Sequence, residues 1–225
     1  MSLLTVHHLN NSRSQRVLWL LEELRVEYRV QHYARDAKTM LAPPELLKVH
    51  PLGKSPVITD GDVTVAESGA IIEYLVERYG QSRWQPPAGT AERLRYRYWL
   101  HYAEGSAMLP LLLKLIFSHL PKQPMPFFVR PIVRSIASNV CKVFVDPMLK
   151  LHLDYMECEL TKNTWFAGAE FTAADIQMSF PIEAAASRGG LDASRPKLSA
   201  FLQRIQARVA YQKALAVGGP YQLMS

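Results

Sequence analysis

The chain has 225 residues, of which 48% are hydrophobic and 20% are charged, and its formal net charge is +6. This mix is typical of a globular protein of one or two domains with a sizeable core, and it excludes a small scaffold that depends on disulfide or metal staples. Cys141 and Cys158 lack a metal-ligand spacing and no secretory leader is recognised, so a reducing, cytoplasmic location is expected.

Two classes of partner are not expected. The longest apolar run covers residues 108–120, is interrupted by a proline, a lysine and a histidine, and is too short to cross a bilayer. Arginines alternate with aromatic residues from Arg93 to Trp99, but residues two apart on a helix do not share a face. We therefore expect neither a membrane nor a nucleic-acid partner, while small anionic substrates fit the positive charge.

The first third of the chain predicts a mixed unit. Leu3–His8 has strand propensity and leads into turn and cap formers at 10–14. From Arg16 onward, apolar residues three and four apart predict a helix, and Tyr28–Tyr33 alternates as a second strand. A strand, a helix and a strand at this spacing predict a parallel pair with a right-handed crossover.

The stretch from residue 50 to residue 75 predicts the centre of the site. A strand begins at Pro56, a hairpin turn follows, and Glu67 and Ser68 open a helix that closes at Gly80. We expect a cis bond between Ser55 and Pro56, with the backbone groups of Ser55 free to pair with an extended peptide. A carboxylate, a hydroxyl and free helix amides converge at Ser68, which suits an amino acid zwitterion.

After Gly80 the composition changes to that of a linker, and helical periods follow. The pattern predicts one long helix over 92–117, or two helices meeting near Pro110, and further helices over 127–145 and 146–160. Thr172 and Asp175 have the spacing of a capping box at the start of a buried helix. The last predicted helix covers Lys197–Arg208.

These elements predict a small α/β domain at 1–80, a linker at 81–90 and an all-helical domain at 91–225. The chain resembles the cytosolic glutathione transferases, and most of all their bacterial and fungal members. Pro-Leu-Gly-Lys-x-Pro followed by Glu-Ser-Gly-x-Ile at this spacing carries the resemblance, which covers Asn10–Leu24, His50–Asp60, Glu67–Leu75 and Trp165–Asp175. It implies an α/β thioredoxin-like N-terminal domain, an all-α C-terminal domain and a homodimer.

The resemblance also implies that glutathione is the co-substrate, without a metal or other cofactor. Glu67 and Ser68 would hold its γ-glutamyl end, Ser55 beside Pro56 would pair with the cysteinyl backbone, and Lys54 would meet the glycyl carboxylate. Glu104 is a candidate partner for the glutathione ammonium across a dimer. The alternatives are a plain helix cap for Glu67 and Ser68, and solvated surface side chains for Lys54 and Glu104.

Activation of the glutathione thiol requires a hydrogen-bond donor that stabilises the thiolate. Lowering a thiol pKa from about 8.5 by two units takes about 2.7 kcal/mol of differential stabilisation. Ser12 is the first candidate, because it lies four residues before Arg16, as the catalytic serine does in serine-type relatives; Asn11 and Ser14 are the alternatives, and either serine could simply cap the helix. The loop at 10–14 contains neither tyrosine nor cysteine, which argues against tyrosine-type and thiol-disulfide chemistry.

A hydrophobic electrophile is the expected second substrate, with Tyr102, Met108 and Phe117 as candidate pocket residues. An aromatic and methionine stripe at helical spacing equally describes core packing. The predicted function is transfer of glutathione to such an electrophile in detoxification, by addition, by halide displacement, or as peroxide reduction. The alternative is a non-catalytic protein of the same fold that serves protein association.

Overall fold

A computed structural model describes residues 3–36, 39, 41–219 and 221–223. The N-terminal part is a four-stranded sheet with helices. Its elements are β1 (Leu4–Leu9), α1 (Ser14–Leu24), β2 (Tyr28–Tyr33), a 3₁₀ turn (Pro44–Lys48), β3 (Val57–Asp60), β4 (Val63–Ala66) and α2 (Ser68–Tyr79). The strand order is β2-β1-β3-β4, with β1 and β2 parallel and the other two pairs antiparallel. The predicted parallel pair and hairpin are confirmed.

The remainder of the described chain is helical. Its helices are α3 (Ala91–Tyr102), α4 (Met108–His119), α5 (Arg130–Val140), α6 (Asp146–Lys162), α7 (Ala173–Ala184), α8 (Pro196–Gln206) and α9 (Val209–Gly218). Single π-helical turns at 103–107, 141–145 and 185–189 follow α3, α5 and α7. The predicted fold class is confirmed, while the exact domain boundaries at 80 and 90 stay a prediction.

Three boundaries differ from the prediction. Helix α1 begins at Ser14 rather than Arg16. The stretch predicted as one long helix or as two helices meeting near Pro110 is helical throughout, and α3 and α4 join through the π-helical turn at 103–107, three residues before the proline. The missing amide of Pro110 is tolerated in the first turn of α4. Helix α9 was not predicted at all, because no glycine or proline separates it from α8.

Helix α7 forms the centre of the helical part, and all of its residues are buried. It packs on α3 and also on α1 of the N-terminal part, so one core joins the two parts. None of the described helices is both long and apolar enough to cross a bilayer.

The predicted capping box starts α7. The Asp175 carboxylate accepts the Phe166 amide at 2.9 Å, and the Thr172 amide and hydroxyl at 2.8 and 3.1 Å. Asp175 is fully buried, and burial raises the pKa of its carboxyl to about 6 despite these donors. Three donors therefore depend on one side chain.

We expect Asp175→Ala to lower the free energy of unfolding by about 2–4 kcal/mol, because a helix cap is lost and buried amides are left unpaired. Urea unfolding measures this change. Asp62→Ala in the exposed turn between β3 and β4 is the matched control, with an expected change below about 0.5 kcal/mol. Equal effects of the two substitutions would contradict the capping role.

Candidate functional site

The loop that follows β1 is held on both sides. Asn10 donates its backbone amide to the Tyr33 carbonyl at 3.2 Å, and its side-chain oxygen accepts the Arg35 amide at 2.9 Å. Asn11 adopts a φ of 50°, and its side-chain oxygen accepts the Gln222 amide at 2.8 Å. The C-terminal segment therefore covers the first loop, and the position of Asn11 is fixed by a residue far away in sequence.

A buried hydrogen-bond chain begins in this loop. The Ser12 and Ser14 hydroxyl oxygens are 2.7 Å apart, and the Ser14 oxygen is 2.9 Å from His8 Nδ1. The Ser14 backbone amide also donates to the Ser12 oxygen, at 3.2 Å. All three residues are buried, Ser12 with 4% exposure. This hydrogen-bond chain leads from the loop to His8, near the end of β1.

His8 is neutral at physiological pH. Burial, and then the nearby His32, lower its pKa to about 4, with the Gly218 backbone opposing them. His8 was not predicted as a site residue, because a histidine within a strand belongs to no recognisable motif. Its side chain approaches Gly218 so closely that a Cβ added there would lie 3.3 Å from the ring.

A buried charge lies behind the loop. Arg16 has 2% exposure, and its Nη1 donates to the Gln177 carbonyl at 2.6 Å. Its Nη2 donates to the Ser68 hydroxyl at 2.8 Å and to the Glu104 carboxylate. One side chain thus links α1, α2, α7 and the turn that follows α3.

Glu104 is held by two cations of its own chain. Arg16 contacts one carboxylate oxygen and Arg13 contacts the other at 3.0 Å, while the Ser68 hydroxyl donates to the first at 3.4 Å. Burial alone would raise the pKa of Glu104, but the two guanidinium groups outweigh it and lower that pKa overall. Both guanidinium groups also lie over the Phe180 ring, at 5.4 and 5.5 Å from its centre.

The first turn of α2 has the features of an anion site. A helix start leaves amides without intrahelical acceptors, and no side chain in the described part of the chain caps those of α2. Glu67, just before the helix, adopts a φ of 68°, a conformation that is rare for a residue with a side chain. Such strain is characteristic of functional sites, and here it precedes Ser68.

Ser55 lies beside the loop. The Ser55–Pro56 bond is cis, as predicted. The Ser55 hydroxyl donates to the His7 carbonyl at 2.8 Å and accepts the Leu9 amide at 3.3 Å, which ties it to the end of β1. Both ladders of β3 begin at Val57, so the Ser55 backbone lies beyond the paired part of the sheet. Lys54 is exposed next to it.

The candidate pocket residues lie on α3 and α4. Tyr102 and Met108 have 7% and 5% exposure and belong to the core. The Tyr102 hydroxyl is 2.5 Å from His152 Nδ1, and its ring stacks on Tyr98. Phe117 is half-buried against the same core. Tyr102 and Met108 thus pack among core side chains, whereas Phe117 keeps an accessible face, and all three stay predicted pocket residues.

Ser68, Glu104 and the Gln177 carbonyl meet at Arg16, and these four residues form the seam between the two parts of the chain. Ser55, and Ser12 through Ser14, contact the end of β1 instead, and Asn11 contacts Gln222. Arg16 and Gln177 are 161 residues apart, so no local pattern in the sequence could have paired them. No group of three histidine, cysteine or acidic side chains among the described residues could hold a metal ion.

Comparison with known proteins gives consistent matches. The family model "Glutathione S-transferase, N-terminal domain" matches residues 1–77, and "Glutathione S-transferase, C-terminal domain" matches residues 125–208. Glutathione S-transferase 3 of Schizosaccharomyces pombe is 42% identical over 81% of this chain and 74% of its own length. Glutathione S-transferase 1 of Saccharomyces cerevisiae is 34% identical over 97% of this chain and 98% of its own. A crystal structure of a glutathione S-transferase from Actinobacillus pleuropneumoniae superposes with a TM-score of 0.78 at 32% identity, covering 95% of this chain and 91% of that one.

The ion pair at the seam predicts a pH dependence. The folded state lowers the pKa of Glu104 below its ordinary 4.5, so the stabilisation is complete above that pH and is lost as the pH falls through the lowered pKa. We expect Glu104→Gln to cost about 2–3 kcal/mol at neutral pH, because Arg16 loses its counter-charge. The cost should shrink as the pH falls through the lowered pKa, because the wild-type carboxyl then becomes protonated too.

Urea unfolding across this pH range measures the difference between the two proteins. Glu27→Gln, at an exposed glutamate after α1, is the control and should change stability little at any pH. A Glu104→Gln penalty that stays constant with pH would rule out the charge as its cause.

Proposed function

Because the chain belongs to the glutathione S-transferase family, we propose that this enzyme binds glutathione between Ser55 and the first turn of α2 and forms the thiolate at the loop after β1. The observation that carries this proposal is the uncapped start of α2. Its first amides are free, and the Ser68 hydroxyl beside them accepts a hydrogen bond from Arg16, which follows the loop that contains Ser12. The electrostatics of that position favour a small anion with an adjacent ammonium group.

The γ-glutamyl end of glutathione binds at α2. Its α-carboxylate accepts hydrogen bonds from the first helix amides and from Ser68, and its ammonium pairs with Glu67. Arg16 holds the Ser68 hydroxyl in place, so part of the site is organised before the ligand arrives. A contact of Glu104 with a second subunit's glutathione stays a proposal; within one chain, both of its oxygens already face arginines.

The cysteinyl part lies along Ser55. Its amide and carbonyl pair with the Ser55 backbone as an added strand, because the β3 ladders leave these groups outside the sheet. The Ser55 hydroxyl is already engaged with β1, so only its backbone is offered. The glycyl carboxylate then extends toward Lys54, whose exposed side chain can reach it.

Ser12 is the proposed donor to the thiolate. With a proton on Nδ1, neutral His8 donates to Ser14, Ser14 donates to Ser12, and the Ser12 proton is available to the sulfur. Hydrogen bonds in such a chain strengthen one another. A charge-assisted hydrogen bond contributes about 1.5–3 kcal/mol and a helix N-terminus about 0.3–1 kcal/mol. Together they meet the about 2.7 kcal/mol that a two-unit pKa shift requires.

Asn11 is the second candidate donor. Its side-chain oxygen already accepts the Gln222 amide, which leaves its NH₂ group as a donor. Because its side chain is only partly buried, it is more accessible to a ligand than Ser12. Substitution at each position separates the two.

The thiolate attacks a hydrophobic electrophile that approaches past Phe117. In halide displacement the carbon–sulfur bond forms as the halide departs with its electron pair, and the thiol proton passes to solvent. In peroxide reduction two glutathione molecules are oxidised to the disulfide while the peroxide becomes an alcohol and water. A cytoplasmic homodimer acting in detoxification completes the proposal.

We expect Ser12→Ala to lower the rate of conjugation with a chloronitroaromatic about 10- to 100-fold, because one charge-assisted hydrogen bond is lost. The KM for glutathione should stay within about twofold, since binding energy comes from α2 and Ser55. The pKa of the bound thiol, followed by ultraviolet absorbance of the thiolate, should rise, which moves the alkaline rise in activity to higher pH.

Ser14→Ala should shift the thiol pKa in the same direction by a smaller amount, because it breaks the chain one bond further away. Ser135→Ala on the exposed side of α5 is the control. An unchanged rate in Ser12→Ala would transfer the role to Asn11, to be checked with Asn11→Ala. Absence of turnover in the wild type would overturn the enzymatic proposal itself.

Glu67→Gln should weaken retention on immobilised glutathione and raise the KM for glutathione about tenfold, because the ammonium loses its counter-charge. The turnover number should change much less. Glu77→Gln, at an exposed position on the same helix, is the matched control. Equal retention of the two variants would place the γ-glutamyl end elsewhere.

A further inference from the structure

Three arginines from separate elements lie around the loop after β1. Arg13 belongs to this loop, Arg35 follows β2, and Arg188 lies in the π-helical turn after α7. The backbone amide of Arg35 donates to the Asn10 side chain at the start of the loop, at 2.9 Å. All three arginines are half-buried, so the surrounding structure constrains where their charges lie.

Contacts with neighbouring elements fix two of these side chains. Arg13 Nε lies 3.0 Å from the Glu104 carboxylate, and its guanidinium lies 5.4 Å from the centre of the Phe180 ring. Arg188 Nε donates to the Leu111 carbonyl of α4 at 3.5 Å. Both side chains therefore lie between the first loop and the helical part, where the proposed electrophile approaches the sulfur.

The three guanidinium groups repel one another. Burial lowers the pKa of Arg35 and that of Arg188 below the ordinary value, and the nearby Arg13 lowers both pKa values further. Like charges that are brought together and partly desolvated raise the free energy of the unliganded protein. Binding of an anion among them would lower it again.

The carboxylates closest to this cluster are already engaged. Glu104 is shared between Arg13 and Arg16. Glu183 is buried and accepts two tyrosine hydroxyls, one from α9 and one from the C-terminal segment, at 2.5 and 2.8 Å. These two carboxylates do not balance four guanidinium groups, so the region suits a further negative charge.

The C-terminal segment connects two of the arginines to the position of the thiolate. Its backbone accepts the Ser187 hydroxyl at 3.0 Å and donates to the Asn11 side chain at 2.8 Å. Ser187 directly precedes Arg188, and Asn11 lies two residues before Arg13. Because Ser12, the proposed donor to the sulfur, lies between Asn11 and Arg13, a molecule that reacts with the thiolate comes within reach of both arginines.

We propose that the electrophile carries a carboxylate, which Arg13 and Arg188 bind while the sulfur attacks the neighbouring part of the molecule. This inference rests on the proposed function and narrows its second substrate from a hydrophobic compound to a hydrophobic carboxylic acid. A guanidinium suits this role because it presents two parallel N–H donors to the two oxygens of a carboxylate. Arg35 adds positive charge at the edge of the same cluster.

The bound carboxylate can also assist the reaction. When sulfur adds to the β-carbon of an α,β-unsaturated carboxylate, the carbon–sulfur bond forms as the π electron pair moves toward the carboxylate. The α-carbon then takes a proton from solvent, which replaces the proton that the thiol released. Negative charge on the carboxylate grows in the transition state, so the two arginines stabilise it more than the ground state.

Two electrophiles that differ in charge test the proposal, a chlorodinitrobenzoate and the corresponding chlorodinitrobenzamide. Glutathione displaces chloride from both, and dividing each kcat/KM by the rate constant with glutathione alone removes the difference in intrinsic reactivity. We expect this rate enhancement to be at least about tenfold larger for the benzoate, because only the benzoate forms charge-assisted hydrogen bonds with the arginines. The preference should shrink as salt is added.

Arg13→Gln and Arg188→Gln should each reduce the preference for the benzoate about tenfold. Arg188→Lys should keep part of it, since lysine retains the charge but not the two-donor geometry. Arg29→Gln, at an exposed arginine on β2, is the matched control and should keep the preference within about twofold. Turnover of the benzamide shows that each variant is folded.

Binding without turnover separates this inference from the proposed function. The S-aryl glutathione conjugates of both compounds are titrated into the full chain and followed by calorimetry. The carboxylate conjugate should bind at least about tenfold more tightly than the amide conjugate in the wild type, and about equally in Arg188→Gln. If the wild type turns over neither electrophile, the enzymatic proposal fails, and this comparison still decides whether a carboxylate is bound.

Two results would overturn the inference. The first is a rate enhancement and an affinity for the amide compounds that equal or exceed those for the carboxylates. The second is a higher KM for glutathione in Arg13→Gln and Arg188→Gln with an unchanged preference for the benzoate, which would make these arginines partners of a glutathione carboxylate.

Discussion

The structure depends on a positive charge that has been taken out of water. The guanidinium of Arg16 is buried where the sheet domain meets the helices, and its two Nη groups donate only to groups from other elements. An unpaired buried charge costs several kcal/mol, so Glu104, Ser68 and the Gln177 carbonyl must stay where they are. This requirement fixes α1 against α2 and α7 and places a rigid seam between the two parts of the chain.

The same requirement shapes the proposed site. The Ser68 hydroxyl accepts a hydrogen bond from Arg16 and lies at the free amides of α2, so a contact that stabilises the fold also orients the hydroxyl that we propose binds glutathione. On the opposite side of α1, Ser14 begins the helix and joins Ser12 to His8. Stability and chemistry therefore share side chains here, and a substitution at the seam changes both.

Local features of the sequence were sufficient to predict much of the fold. Proline and glycine positions placed the strand after Pro56 and the end of α2, and the spacing from Thr172 to Asp175 placed the start of α7. These signals work because caps and turns depend on residues a few positions apart. Arg16 with Gln177, and Ser14 with His8, depend on the packing of separate elements, which periodicity does not encode. For Tyr102 and Met108, helical spacing alone does not distinguish a pocket wall from a core, and their role in a pocket stays a prediction.

The meeting of the two chain ends has an evolutionary consequence. A Cβ at Gly218 would lie 2.4 Å from the Gln15 side-chain oxygen, so the Gln15 side chain would have to shift, and Gln222 donates its amide to Asn11. The loop that we propose activates the sulfur is therefore in contact with the C-terminal part of the chain. A chimaera that exchanges only this loop between related enzymes would lose its contacts with the C-terminal part. The loop and the C-terminal part therefore have to be exchanged together.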